Sequence, residues 1–143
     1  AKHIITSEDL PFIIADVMES KGYQHIRLLN CYINTGLNVD STASVRVAIE
    51  EKELQGSGSG NGGFDAFMDA IGNILQTRNF VMPTLTDYEV HIPRGGKTDA
   101  LTECIITWKP EQQSFQTRGV DANQVMAAVK ATIRMLNIML HSL

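Results

Sequence analysis

The chain has 143 residues, 43% of them hydrophobic and 20% charged, with a formal net charge of −4. That length buries one sizeable core in one or two small domains, and the acidic balance without a dense Lys/Arg patch argues against nucleic acid as the main partner. No apolar run approaches the roughly 20 residues of a membrane helix, and Ala1-Lys-His-Ile-Ile-Thr lacks the form of a signal peptide, so a cytoplasmic protein with no membrane partner is expected. The start at Ala1 rather than Met reads as a piece of something longer. Cys31 and Cys104 are far apart among apolar, strand-like neighbours, which suits buried thiols in a reducing compartment. His3, His25, His91 and His141 show no paired spacing, so no metal site and no cofactor are expected in this chain.

In chain order, Thr6-Ser7-Glu8-Asp9 leads into Leu10, Ile13, Ile14, Val17 and Met18, an apolar stripe at helical spacing that Lys21-Gly22 can close. Residues 1–25 are therefore read as a linker helix region. A strand is predicted over Ile26–Ile33, and a second where Val45, Val47 and Ile49 alternate with Ser44, Arg46 and Ala48. A short third strand, Lys52–Gln55, should return into a glycine-rich loop at 56, 58, 60, 62 and 63. That loop opens a helix from about Phe64 to Thr77, whose stripe is Phe64, Phe67, Met68, Ile71, Ile74 and Leu75.

The second half repeats this grammar. A strand over Leu85–Ile92 is followed by a turn at Pro93-Arg94-Gly95-Gly96, a strand over Ala100–Trp108 and a turn at Lys109-Pro110. A strand over Ser114–Thr117 then precedes a helix beginning near Asp121, with stripe Val125, Val129, Ile133, Leu136 and Leu140. Sliding one half over the other by 56 to 58 positions pairs Tyr32 with Tyr88, Val47 with Cys104 and Phe67 with Val125. The expected fold is α+β: two β-β-β-α units related by a pseudo-twofold, at about 26–78 and 84–141, with helices on one face of antiparallel sheets.

The chemistry is expected at the first glycine segment, since uncrowded backbone N–H groups ahead of a helix form a seat for a carboxylate or phosphate. Repeated Gly and Ser also describe a plain connector. A Walker loop is excluded, because Phe64 and Asp65 follow Gly63 where Lys and Ser or Thr would be needed. No paired general acid and base, and no nucleophile beside a histidine, supports an enzyme acting alone. Asp121 reads as a helix cap and Glu103 as a strand-face charge.

Four segments, Thr42-Ala-Ser-Val-Arg-Val, Gly58-x-Gly-Asn-Gly-x-Phe-Asp-Ala, Leu85-x-Asp-Tyr88 with Ile92, and Thr98-Asp-Ala100, resemble the C-terminal regulatory domain of 2-isopropylmalate synthase and its relative citramalate synthase. The resemblance covers about Ile26 to Asn137, with one departure: the family usually carries Pro where this chain has Gly63. It implies a homodimer that binds a branched-chain amino acid, leucine or isoleucine, and inhibits a separate catalytic barrel by feedback. The barrel, not this chain, would hold the divalent metal and acyl-CoA. The amides of Gly60, Asn61, Gly62 and Gly63 with the helix start suit the effector carboxylate, and Asp65 or a main-chain carbonyl suits its ammonium. Carried onto matching positions, Phe64, Leu85, Tyr88, Ile92, Ala100 and Thr102 would line the side-chain pocket. A dimerisation module without effector is the alternative.

Overall fold

The computed structural model describes residues 24–92 and 101–141, which divide into two compact units, His25–Met82 and a second beginning at Pro83. The expected linker helix, the turn at 93–96 and Ala100 lie outside the described residues. The first unit runs β1 (Ile26–Asn34), β2 (Ser41–Ile49), β3 (Lys52–Gly60) and α1 (Gly63–Gln76). The second runs β4 (Thr84–His91), β5 (Thr102–Lys109), β6 (Phe115–Asp121) and α2 (Gln124–His141). Each unit is an antiparallel three-stranded meander, in the order β1-β2-β3 or β4-β5-β6, with its helix packed on one face. The duplicated β-β-β-α architecture read from the sequence is the observed one.

Period-two alternation sets the faces of the first sheet. Ala43, Val45, Val47 and Ile49 of the central strand are buried under α1, whereas Thr42 and Arg46 face out, Arg46 pairing with Glu53 on the wet side. The helix contributes Ala66, Phe67, Ala70, Ile71, Ile74 and Leu75, an i, i+3, i+4 stripe that meets this face.

β3 departs most from the expectation, because it extends through the glycines to Gly60 and leaves only Asn61-Gly62 as the connection to α1. Gly56, Gly58 and Gly60 recur every second residue on the helix side. A Cβ at Gly56 would lie 2.5 Å from Ile74, one at Gly58 would strike the Ala70 backbone N, and one at Gly60 would come within 2.9 Å of the Ala66 backbone N. The glycines therefore let a helix lie directly on a strand. Side chains of α1 then reach over the strand's free border, where Ser59 N–H donates to Asp69 Oδ2 (3.0 Å) and Asn73 Nδ2 donates to the Ser57 carbonyl (2.9 Å).

The second unit uses the same plan with different chemistry. β6 reaches Asp121, four residues past the expected end at Thr117. Gly119 of β6 is its point of closest approach, since a Cβ there would strike the Ala127 carbonyl and come within 2.6 Å of the Ala131 backbone N. Small residues hence carry α2's contact with the sheet. Its buried set is Ala127, Ala128, Val129, Ala131, Thr132, Met135 and Leu136, while the expected Val125, Ile133 and Leu140 are only half-buried. Fully buried Trp108 donates from Nε1 to Thr117 Oγ1 (2.9 Å), and Thr117 donates in turn to the Ala131 carbonyl (2.7 Å). This chain of donors satisfies an indole that the core would otherwise leave unpartnered.

The pairings expected at 56- to 58-residue intervals are out of register throughout, by one residue at Tyr32 and Tyr88 and by three or four beyond the first strand. α2 opens at Gln124 where α1 opens at Gly63, so equivalent residues lie 61 apart, and the buried Ala66, Phe67 and Ala70 match Ala127, Ala128 and Ala131. In β1 and β4 the interval is 57, fixed by matching register shifts after Leu28 and Leu85. The interval changes because ten residues separate β4 from β5 and six separate β1 from β2. Tyr88 is thus equivalent to Cys31 rather than to Tyr32, which points to the opposite, solvent face at 67% exposure.

The β2–β3 hairpin turns on Glu50-Glu51, both left-handed at φ 48° and 70°. These angles suit Asn-Gly, and side chains with a Cβ are disfavoured there. Replacing the pair by Asn-Gly is expected to raise stability by about 1 to 2 kcal/mol, read as a higher urea midpoint with an unchanged slope. A lower midpoint would refute the strain.

Candidate functional site

The β3–α1 junction brings Gly60, Asn61, Gly62, Gly63, Phe64 and Asp65 together at the start of a helix of 14 residues. Gly62 is the N-cap, with extended backbone (φ −138°, ψ 171°) and no side chain to cap the helix; its carbonyl accepts the first intrahelical bond from Ala66 N–H (3.0 Å). Asp65 stands exposed in the first turn, and Phe64 stacks on Phe67, ring centres 6.1 Å apart. The helix start points the positive end of its dipole at this turn.

The equivalent junction in the second unit is closed by its own side chains. Asn123 Oδ1 accepts from Met126 N–H (3.1 Å), making Asn123 the cap of α2, a role the sequence reading gave to Asp121. Asp121 instead accepts from the Asn123 N–H (2.8 Å) and from Lys130 Nζ (2.9 Å). Those bonds hold its carboxyl below the usual carboxylate range, the Asn123 N–H contributing most. Lys130 also donates to the Val120 carbonyl (3.3 Å), so α2 clasps the border of β6 as α1 clasps that of β3.

The remaining expected residues belong to the second unit. Leu85 and Tyr88 sit half-buried on the helix-facing side of β4, opposite Trp108 and Ile106. Thr102 is buried at the start of β5, and Ile92, just past β4, is 72% exposed. The Tyr88 hydroxyl has partners within its own unit: hydrogen bonds join it to Cys104 and to the Gln124 side chain at the start of α2. Burial first, then Cys104, pushes Tyr88 up to about 12, and the Gln124 contact works in the opposite direction. Burial likewise raises the Cys104 thiol, against the hydrogen bond from Tyr88. Gln124 was missed in the sequence, where a polar residue at a helix start reads as ordinary surface.

Two glycine-packed β-β-β-α units, the first with a bare helix cap and the second with a self-capped one, define a duplicated α+β domain. Among its described residues no three His, Cys, Asp or Glu side chains gather in one place, and no helix is long and apolar enough to cross a membrane. The model of the LeuA allosteric (dimerisation) domain matches residues 4–140, and this chain belongs to that family. It is 32% identical over 136 residues to a protein of Methanosarcina mazei that carries an (R)-citramalate synthase name, covering 95% of this chain and 28% of that one. A similarly named protein of Archaeoglobus fulgidus is 30% identical over 135 residues, with 94% and 27% covered. The 2-isopropylmalate synthase of Nitrosococcus oceani is 30% identical over 140 residues, with 98% and 26% covered. The chain spans about a quarter of the length of these relatives.

Proposed function

We propose that this domain binds a branched-chain amino acid and, as a homodimer, relays its presence to the catalytic barrel of an acyl-CoA condensing enzyme of the 2-isopropylmalate or citramalate synthase type. The observation that carries the reading is the contrast between the helix starts: α2 is capped by Asn123, whereas Gly62 leaves α1 without a side-chain cap. A carboxylate at the first turn of α1 would complete what Asn123 completes in α2. Asp65 would accept from the ammonium, and Phe64 beside it would meet the branched side chain. Any divalent metal and acyl-CoA would be held by residues of the barrel.

One observation favours a second reading, dimerisation without effector: Gly56, Gly58 and Gly60 each already serve the packing of α1 on β3. Calorimetric titration of the folded chain with leucine, isoleucine and valine separates the two. Saturable binding of at least one, with a raised melting temperature, is expected. No saturable heat from any of the three at millimolar concentration would leave only the structural role.

A further inference from the structure

Asn61 is the one asparagine of eight that a glycine follows, and it lies in the two-residue connection between β3 and α1. It is exposed, and among the described residues neither its side-chain amide nor the Gly62 N–H is held by a hydrogen bond. Gly62 has extended backbone, and a Cβ there would find nothing nearer than Asp65 Oδ2 at 3.7 Å, so the space around it is open. The other asparagines lack this combination. Asn73 and Asn123 commit their side chains to the Ser57 carbonyl and the Met126 N–H. Asn30, Asn34, Asn38, Asn79 and Asn137 each precede a residue whose Cβ crowds the following nitrogen.

An exposed, untethered amide beside an uncrowded nitrogen is what imide formation requires. The Gly62 nitrogen, on losing its proton to base, attacks Asn61 Cγ; the new bond closes a succinimide ring, and Nδ2 leaves as ammonia. Water then opens the ring at either carbonyl. Breaking the bond from Cγ to nitrogen gives aspartate in an unaltered main chain. Breaking the bond from the main-chain carbonyl carbon gives isoaspartate, in which the chain runs through Cγ and is one carbon longer. By either route an amide and water become a carboxylate and ammonia. Negative charge develops as the nitrogen attacks, and the positive end of the α1 dipole lies at the next residue.

We propose that Asn61-Gly62 is a site of spontaneous deamidation and isomerisation, through which the β3–α1 junction ages by gaining a carboxylate and, in the isoaspartyl product, a main-chain carbon. The junction has no slack for that carbon. Gly60 lies so close to the first turn of α1 that a Cβ on it would come within 2.7 Å of the Asp65 Cβ and 2.9 Å of the Ala66 N. Isoaspartate therefore displaces the helix start from β3, whereas aspartate only adds an acceptor ahead of the bare cap. The inference holds whether or not an effector binds.

The test is incubation of the full, folded chain at mildly alkaline pH, followed by proteolysis and mass spectrometry, with isoaspartate detected by an isoaspartyl methyltransferase. The peptide holding Asn61 is expected to gain about 1 Da at a rate at least about tenfold above that of any other asparagine peptide. Gly62→Ala, whose methyl the open space accommodates, should slow that gain about tenfold or more. The isoaspartyl chain, purified chromatographically, should melt several degrees below the Asn61→Asp chain, which should itself match the wild type closely. Conversion at Asn61 no faster than at the other asparagines, or unaffected by Gly62→Ala, would overturn the site. Equal melting temperatures for the isoaspartyl and Asn61→Asp chains would overturn the displacement of α1.

Discussion

Gly58→Ala and Gly119→Ala are each expected to lower stability by about 3 kcal/mol, because the added methyl meets helix backbone rather than a side chain that can swing away. At Gly58 the obstruction is the Ala70 N and, at 2.8 Å, the Asp69 carbonyl carbon; at Gly119 it is the Ala127 carbonyl and the Ala131 N. Relief would require the helix to lift off the strand, which also pulls Asp69 and Asn73 from Ser59 and Ser57 in the first unit. Gly72→Ala supplies the opposite sign within the same helix. Nothing lies within 4 Å of a Cβ there, so alanine should stabilise by about 0.5 to 1 kcal/mol. Urea unfolding of the three variants checks the pattern, and a neutral Gly58→Ala would mean that α1 does not sit this close to β3.

Gly62→Asp is expected to weaken effector binding about a hundredfold while leaving the fold intact, since lost charge-assisted hydrogen bonds and like-charge repulsion add at one point. The substitution fits: the backbone is extended, and a Cβ would meet only Asp65 Oδ2 at 3.7 Å. Aspartate is also a good N-cap, so any change in folding stability should be small. Gly62→Asn copies the cap that Asn123 gives α2 without adding charge, and its loss should be about tenfold, from competition for the same N–H groups. Calorimetric titration of both variants reads the result. Wild-type affinity in Gly62→Asp would place the carboxylate elsewhere.

The order of elements was legible in the sequence because strands alternate with period two, as in Val45–Ile49, helices carry a 3.6-residue stripe, as in Phe67–Leu75, and polar or glycine-containing turns separate strand from strand. Register was not. Tyr32 and Tyr88 looked like counterparts as matching letters, but the register shifts after Leu28 and Leu85 place them on opposite faces of their sheets. The loop expected at the glycines is a strand for a physical reason: a run of glycines signals that something comes close, not what. Here the visitor at 56, 58 and 60 is the chain's own helix, and β3 continues through residues that strand propensity disfavours. The Tyr88–Cys104–Gln124 contact was invisible in the same way, because residues 88, 104 and 124 become neighbours only once two turns and a strand-to-helix connection have closed.

The clasped borders of β3 and β6 have a consequence for how these sheets grow. A strand seeking to add itself there would have to compete with Asp69 and Asn73, or with Lys130, for backbone groups those side chains already hold. Lateral extension of either ribbon is thereby steered to the opposite side, along β1 or β4, each of which, among the described residues, pairs with one neighbour in its own sheet. The helices in this way act as selvedges as well as lids, sealing one margin of the weave against unplanned stitching.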